Sequence, residues 1–329
     1  MISITVALFF ILLHVKKENA VSLAYSKREG LYSLMSAFLL LLFAFAGCSS
    51  NPQQSGTGNG NGTQLQVVAT ENFWGSIAAQ VGGSHIHVTS IIADPNVDPH
   101  SYEPTATDAR NVADARYVIV NGAGYDPWAD RLLQANPSNG RKELNAGDLF
   151  GKHEGDNPHM WYNPDYVTAV VTRIRDDLKA LDPTDAKAFD ASAQNFQNNG
   201  LKQYHQLIAG IKAKYSGTPV GATESIFSYL APALGLNLIN PYSYLKAVSE
   251  GTDISAADEA TVEQQIKQKQ IKILVYNSQN TPNNIQALIT LAKNNHIPVT
   301  TITETLTPAN TTFQNWQASQ LLRLQSALV

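Results

Sequence analysis

The chain has 329 residues, of which 43% are hydrophobic, and a formal net charge of −4. This length and apolar content suffice for two domains, each with its own core. The slightly acidic balance, without any basic run, argues against nucleic acid as a partner. Cys48 is the only cysteine, which excludes disulfides, cysteine-rich zinc sites and thiol catalysis from the folded body.

The first 48 residues are predicted to be an export segment. Lys27 and Arg28 precede an apolar run at 31–46, and small residues stand directly before Cys48. This order resembles a bacterial lipoprotein signal, in which the cysteine is lipidated and becomes the first residue of the mature protein. A membrane-spanning helix is the alternative, but such a helix typically needs ~20 residues. Residues 1–26 contain a second apolar run, which we interpret as an extension from a misassigned start codon.

Residues 49–64 are polar and rich in glycine, and they show no apolar periodicity. That composition is typical of a flexible tether. We therefore predict that a folded body is held by lipidated Cys48 at the extracytoplasmic face of a membrane, in the periplasm or at the cell surface. This location argues against a cytoplasmic enzyme.

Strands and helices alternate in the first half of this body, residues 65–183. Short apolar runs predict strands at 65–70, 85–92 and 117–120, and the brief segment 142–144 is a further strand candidate. Helical spacing predicts helices at 72–81, 105–115, 128–135 and 163–181. Asn72 is a candidate cap for the first helix, and Asn163 with Pro164 forms a cap and first-turn proline for the last. His85 and His87 are expected to share one exposed face of a strand.

A long, rather polar helical run at 184–215, interrupted by Gly200, separates this half from a second one at 216–329. Further strands are predicted at 218–222, 236–239, 271–276 and 298–302. Further helices are predicted at 225–234, 255–269, 283–295 and from about 310. Alternation in two halves implies two doubly wound α/β lobes with a cleft between them, joined by the 184–215 helix. In such sheets, ligands bind beyond the carboxyl ends of the strands.

Two matching loops place a histidine directly after a proline. They read Asp98-Pro99-His100-Ser101-Tyr102 and Asn157-Pro158-His159-Met160-Trp161. Proline fixes its own φ and restricts the preceding residue, so each imidazole stands on stiff backbone. Imidazole is a common ligand for zinc and related metals. One site built from both loops is the functional interpretation, and a pair of surface-turn histidines is the alternative.

Two acidic residues of the second half also follow predicted strands. Glu224 comes after the strand at 218–222, and Glu304 after the strand at 298–302. Two imidazoles and two carboxylates, a pair from each lobe, would form a mixed N/O shell for a divalent transition metal. The alternatives are a helix N-cap for Glu224 and a surface turn for Glu304.

Four stretches of the chain resemble motifs of a known family, and the resemblance extends over nearly all of residues 65–329. They are DPHSYEP (98–104), NPHMWYNP (157–164), ATESIFSYLAPALGL (222–236) and the tail VTTITETLTP…WQASQLLRLQ (299–325). The chain resembles the zinc- and manganese-binding receptors of bacterial ABC importers. The resemblance implies two βα lobes joined by one long rigid helix, an importer permease as partner, and no enzymatic activity. It also implies that the metal ligands are His100, His159, Glu224 and Glu304.

The sequence leaves the identity of the transported metal open between zinc and manganese. Zinc-specific members of the family usually have a long loop rich in histidine and acid before the second motif, of which only His153, Glu154 and Asp156 are present here. A glutamate as third ligand is typical of manganese members. Zinc nevertheless binds more tightly at most N/O sites. We therefore lean towards manganese as the physiological ion and expect zinc to bind in vitro.

Two rival functions remain. A zinc hydrolase would keep an open coordination position and often carries HExxH, which this chain lacks. A metal-dependent adhesin or structural surface lipoprotein would use the ion for stability alone. We expect a monomeric receptor instead.

Overall fold

The structure is a computed structural model and describes residues 64–329. The predicted signal segment (1–48) with its lipidation residue Cys48, and residues 49–63 of the predicted tether, lie outside the described residues. No helix in the described part of the chain combines the length and apolar character needed to cross a membrane.

The first half of the body forms a four-stranded parallel sheet in the order β2-β1-β3-β4. Its strands are β1 (Leu65–Glu71), β2 (Ile86–Ile92), β3 (Tyr117–Val120) and β4 (Lys142–Asn145). Its helices are α1 (Asn72–Gly82), α2 (Ala106–Asp114), α3 (Pro127–Ala135), α4 (Ala146–Leu149) and α5 (Pro164–Leu181). All four residues of β3 are buried, as expected for a strand covered on both faces. The side chain of Asn163 caps α5, as predicted.

The predicted linking helix at 184–215 is divided in the structure. It consists of α6 (Ala186–Asn195) and α7 (Lys202–Tyr215), separated by a π-helical turn at Phe196–Gly200. Residue 184 lies before α6, in a 3₁₀ turn. Helix α6 packs against α1 and α5 of the first half, whereas α7 packs against the last helix of the chain. The segment thus contacts both halves, but a single rigid joining helix stays a prediction.

The second half repeats the topology of the first, with parallel strands in the order β6-β5-β7-β8. These strands are β5 (Pro219–Ala222), β6 (Asn237–Leu238), β7 (Leu274–Asn277) and β8 (Val299–Ile302). The helices are α8 (Leu230–Ala233), α9 (Tyr242–Ser249), α10 (Ala256–Lys267), α11 (Asn283–Asn294) and α12 (Phe313–Ala327). The predicted fold of two doubly wound α/β lobes is confirmed. In each sheet, a crevice opens at the carboxyl ends of the two central strands.

Three local predictions were wrong. Glu71, not Asn72, occupies the N-cap position of α1, and Asn72 Oδ1 instead accepts a hydrogen bond of 3.1 Å from Leu306 N. His85 precedes β2 instead of sharing an exposed strand face with His87, and its side chain is only partly exposed, with Nδ1 2.6 Å from a carboxylate oxygen of Asp185. Helix α9 is missing from the prediction because its eight residues are too few for apolar periodicity to stand out.

One apolar core continues from the first sheet to the second. In the first half, the rings of Phe73 and Trp161 stack with centroids 4.0 Å apart. Across the boundary between the halves, the rings of Tyr162 and Trp316 lie 5.8 Å apart, and both residues are fully buried. A smaller core around Trp128 covers the opposite face of the first sheet. The continuous core fixes the positions of the loops at the carboxyl ends of both sheets.

Candidate metal centre

The loops at the carboxyl ends of both sheets line one cleft, which contains a cavity of about 650 Å³. The first half contributes His100 and Asn157 to its lining, and the second half contributes Ser225, Gln279 and Glu304. The cleft expected from the sequence is therefore present. Of the four candidate ligands, His100 and Glu304 line this cavity, whereas His159 and Glu224 are buried and do not line it.

His100 stands on a tightly held turn. Asp98 Oδ1 accepts a hydrogen bond of 2.9 Å from the backbone N–H of His100. The preceding residue, Pro99, is buried, and its carbonyl accepts a bond of 2.9 Å from Trp128 Nε1. These contacts leave the imidazole partly exposed at the cavity, with its ring centroid 4.8 Å from that of Tyr125.

His159 is only 1% exposed, so the alternative of a surface-turn histidine is wrong for this residue. Its Nδ1 lies 2.7 Å from Asn157 Oδ1, and the backbone N–H of His159 donates to the same oxygen. Because an amide oxygen can only accept, Nδ1 carries the proton and Nε2 keeps its lone pair for another partner. Metal-binding histidines typically donate the N–H of the ring nitrogen that does not bind the metal in this way.

Glu224 is 1% exposed and stands at the N-cap position of the 3₁₀ turn Ser225–Ser228, but its side chain makes no capping bond. The alternative of a helix cap is therefore wrong. Ser249 and Asn280 reach its Oε2 only at 3.4 Å. Its Oε1 is buried without a hydrogen-bond partner. A buried carboxylate oxygen without a partner is costly, and a bound cation would satisfy it.

Glu304 is 9% exposed, and the alternative of a surface turn is wrong. Asn277 Nδ2 donates a hydrogen bond of 2.6 Å to its Oε1. The hydroxyl of Tyr125, from the first half, donates a bond of 3.1 Å to its Oε2. The side-chain oxygen of Gln279 accepts a bond of 2.6 Å from the backbone N–H of Glu304. This carboxylate is thus held on both sides of the cleft.

Tyr125 links three of the four candidate ligands, because its ring also lies 6.1 Å from that of His159. Glu224 belongs to the same group, because the negative charge of Glu304 raises the pKa of Glu224. Within residues 64–329, however, no three His, Cys, Asp or Glu side chains lie close enough together to hold a metal ion as they stand. The role of the four residues as ligands therefore stays a prediction.

The chain matches a family model described as zinc-uptake complex component A, periplasmic (ZnuA), over residues 67–327. The chain belongs to the ZnuA family. Manganese-binding lipoprotein MntA of Bacillus subtilis (strain 168) is 27% identical over 276 residues, which cover 79% of this chain and 85% of MntA. Zinc-binding lipoprotein AdcA of Streptococcus pneumoniae serotype 4 is 26% identical over 268 residues, which cover 74% of this chain and 50% of AdcA.

A solved structure also resembles this ZnuA-family chain. The Mn-bound periplasmic metal binding protein of Candidatus Liberibacter asiaticus superimposes with a TM-score of 0.68 at 19% identity. The match covers 81% of this chain and 100% of that one. This likeness shows the fold. The family match and the two relatives confirm the resemblance to zinc- and manganese-binding receptors that the four motifs indicated.

The electrostatics of the cleft favour a cation. Burial raises the pKa of Glu224 to about 8, and the nearby carboxylate of Glu304 contributes to the rise. Burial also raises the pKa of Glu304, while the proximity of His100 opposes this effect. Burial lowers the pKa of His159 well below 6.5, with a smaller contribution from His100. The imidazole of His159 is therefore neutral and able to coordinate, while the buried carboxyl group of Glu224 holds a proton near neutral pH that a bound cation would displace.

Sequence analysis placed residues 277–280 at the end of a predicted strand, but it did not predict that Tyr125, Asn157, Asn277 and Gln279 hold the candidate ligands. Asn157 stands inside the second motif, where only its effect on backbone geometry was considered. Asn277 and Gln279 follow a strand, as ligands do, but amides carry no charge that would distinguish them. Their roles depend on contacts between distant parts of the chain.

Glu71 also stands at a strand end but is fully buried away from the cavity lining. Thr70 Oγ1 donates a hydrogen bond of 2.7 Å to its Oε2. Burial and the nearby Asp126 raise the pKa of Glu71 well above its usual range. These contacts indicate a structural role for Glu71 in the first sheet, and its exclusion from the predicted ligand set stays a prediction.

Proposed function

We propose that this chain is an extracytoplasmic receptor that binds one zinc or manganese ion and delivers it to the permease of an ABC importer. The buried, unpartnered Oε1 of Glu224 beside Glu304 carries the proposal, because two adjacent buried carboxylates call for a cation. His100, His159, Glu224 and Glu304 are the proposed ligands. Four protein ligands close a zinc shell, which suits binding and release of an ion rather than catalysis.

The receptor is proposed to act as a monomer, attached to the membrane by a lipid on Cys48 and by the tether at 49–64. Such a protein is located at the extracytoplasmic face of the cell membrane. The names of MntA and AdcA, both lipoproteins, support this arrangement. The ion is cargo, so the chain itself catalyses no reaction.

Metal analysis tests the proposal. Protein is purified without added metal from cells exposed equally to zinc and manganese, and its metal content is measured by mass spectrometry. About one ion per molecule is expected in the wild type, and much less in a double variant, His100→Ala with Glu224→Ala. Loss of the gene should reduce uptake of the same ion by cells. Equal metal content in both proteins would refute the proposed site.

The rival functions predict different outcomes. A structural lipoprotein or adhesin would leave metal uptake unchanged when the gene is lost. A zinc hydrolase would show hydrolytic activity that disappears in the His100→Ala variant. Neither rival has support in the relatives reported above.

A further inference from the structure

One face of helix α1, in the first half, is bonded to the segment of the second half that follows Glu304. Three polar side chains stand four residues apart along this helix, at Asn72, Ser76 and Gln80. This spacing places them in one row on the helix surface. Each of the three hydrogen-bonds to a residue between 306 and 314 in the second half. We call this row the α1 seam.

The second and third residues of the α1 seam hold the start of helix α12. The hydroxyl of Ser76 accepts a hydrogen bond of 2.9 Å from Phe313 N, which belongs to the first residue of α12. Thr312, at the N-cap position, makes no capping bond with its side chain, so a residue of the other half satisfies part of the helix end. The amides of Gln80 and Gln314 donate to each other at 2.9 and 2.6 Å. Both contacts stabilise the junction between the halves.

Asn72, the first residue of the α1 seam, contacts the chain much closer to the candidate site. It is 5% exposed, and its Oδ1 accepts a bond of 3.1 Å from Leu306 N, two residues beyond Glu304. Its Nδ2 lies 3.4 Å from the carbonyl of Ala93, where the loop from β2 to His100 begins. One buried amide therefore contacts the loops of two candidate ligands, one from each half.

The turn between Glu304 and Leu306 is held by further hydrogen bonds. Thr305 is fully buried, and its carbonyl accepts a bond of 2.9 Å from the hydroxyl of Thr303. The backbone N–H of Thr305 donates a bond of 3.0 Å to the side chain of Gln279. A turn closed by these bonds has little freedom to adjust, so a shift at Leu306 also moves the backbone of Glu304.

Loss of the Asn72 amide would leave the buried N–H of Leu306 without its acceptor. Such a group is costly, so the segment that carries it would move to find another partner. Resting on the proposed function, we infer that Asn72 is a positioning residue for metal binding, which fixes Glu304 relative to His100. It acts through the backbone and does not touch the ion. The other two residues of the α1 seam hold the halves together without this effect on the site.

The inference is tested with Asn72→Leu, which removes the acceptor and keeps the volume of the buried side chain. Asn72→Ala repeats the test with a side chain that adds no new contact. The matched control is Gln80→Leu, because it removes an amide of the same seam whose partner, Gln314, lies farther from Glu304. Zinc affinity is measured by competition with a chelating dye, and thermal melts establish that each variant is folded.

We expect zinc affinity to fall about tenfold in Asn72→Leu, at the lower end of the ~10–100-fold range for groups that support a metal ligand. Gln80→Leu should lower it no more than about twofold, the usual limit of additivity between independent sites. A double-mutant cycle separates positioning from general destabilisation. In a Glu304→Ala background, Asn72→Leu should change zinc affinity no more than about twofold, because the positioned side chain is absent. In a Glu224→Ala background, the loss of about tenfold should persist.

Three results would overturn the inference. They are unchanged zinc affinity in both Asn72 variants, an equal loss in Gln80→Leu, and a loss that is as large in the Glu304→Ala background as in the wild type. Wild-type zinc affinity in Glu304→Ala alone would instead overturn the assignment of Glu304 in the proposed function, and the inference with it. The single Glu304 variant thus distinguishes the two failures.

Hydrogen exchange in the wild type gives a second test that does not depend on the folding of a variant. The backbone N–H of Leu306 should exchange with deuterium as slowly as the N–H groups of β8, both with and without zinc, because its acceptor is a buried side chain of the other half. Fast exchange of this group in the zinc-free protein would show that Asn72 does not hold the segment, and would overturn the inference.

Discussion

The Nδ1 atom of His159 lies 2.7 Å from the side-chain oxygen of Asn157, and the amide nitrogen of the same asparagine donates a bond of 2.8 Å to the carbonyl of Ser225. Asn157 therefore connects the loop of one candidate ligand in the first half to the residue that follows Glu224 in the second. A single side chain orients the imidazole and joins the two loops. This double contact leads to the first prediction.

Asn157→Ala should lower metal affinity by ~10–100-fold, the usual effect of losing a group that orients a ligand. The imidazole loses its fixed proton on Nδ1, and the Glu224 loop loses its connection to the first half. Isothermal titration with zinc measures the change. Asn136→Ala is the control, because that amide bonds only within its own helix end, to Leu132. Equal losses in both variants would contradict the assigned role.

His100→Ala and His159→Ala should each reduce metal affinity more than Asn157→Ala does, because a ligand itself is removed. His85→Ala and His205→Ala should leave metal affinity unchanged. His205 is exposed on α7, while His85 contacts Asp185, so loss of His85 should affect stability only slightly. Chelator competition with all four variants checks the assignment. A binding defect in the second pair as large as in the first would mean that the site lies elsewhere.

Metal should raise the melting temperature of the protein, since ligands come from both halves. At a thousandfold excess over Kd, linkage predicts a stabilisation of about 4 kcal/mol. For a body of this size, that corresponds to a rise of roughly 10 °C. Glu224→Ala and Glu304→Ala should each lose much of this rise.

Thermal melts with and without zinc or manganese measure the effect in wild type and both variants. If both glutamate variants shift as fully as the wild type, the second half supplies no ligands and the proposed site is wrong. An exposed glutamate, Glu143, provides the control substitution Glu143→Ala, which should shift like wild type.

Without metal, the protein should lose stability as the pH rises from about 5 to 8. The folded state raises the pKa of Glu224 from 4.5 to about 8, so the folded state binds a proton that the unfolded state has released. The stabilisation that Glu224 contributes is fully present below pH 4.5 and is lost as the pH rises to about 8. His159, with its lowered pKa, acts in the opposite direction by destabilising the protein as the pH falls below 6.5.

Comparison with Glu224→Gln isolates the contribution of this one carboxyl. The variant should show a smaller decline in melting temperature between pH 5 and 8 when both proteins are kept in chelator. Saturating metal should remove the decline in the wild type, because the ion binds the ionised carboxylate. Identical pH profiles for the two proteins in chelator would show that Glu224 ionises normally.

Cys48→Ser should release the protein from the membrane. Lipidation requires the cysteine thiol, and no other anchor is predicted between Cys48 and the folded body. Fractionation of cells that express the wild type or the variant checks this outcome, with metal binding by the released protein as evidence that it is folded. A variant that stays entirely with the membrane would indicate that the apolar run at 31–46 is a true membrane anchor.

The eight strands of the described body were all predicted, most of them because they are short apolar runs bounded by polar or glycine-containing turns. The two proline-histidine loops were also recognisable, since proline restricts backbone geometry in a way that sequence reveals. The interruption of the helical run at Gly200 was also predicted, but its π-helical hydrogen bonding was not, because that depends on how α6 and α7 pack against different halves.

The contacts of the residues that hold the candidate ligands could likewise not be predicted from the sequence. Asn277 and Glu304 are 27 residues apart, and Tyr125 and Glu304 are 179 apart. Only the pairing of β7 with β8 and the approach of the two halves bring them into contact. Sequence patterns report local preference, whereas these contacts arise from tertiary structure.

The unbroken apolar core between the sheets has an energetic consequence for unloading. Moving the halves apart would bring side chains such as Tyr162 and Trp316 into water, at a cost of about 25 cal/mol for every Å² of apolar surface exposed. We therefore expect the two halves to keep their relative position while an ion enters and leaves the cleft, so that the exchange depends on movements of the cleft loops.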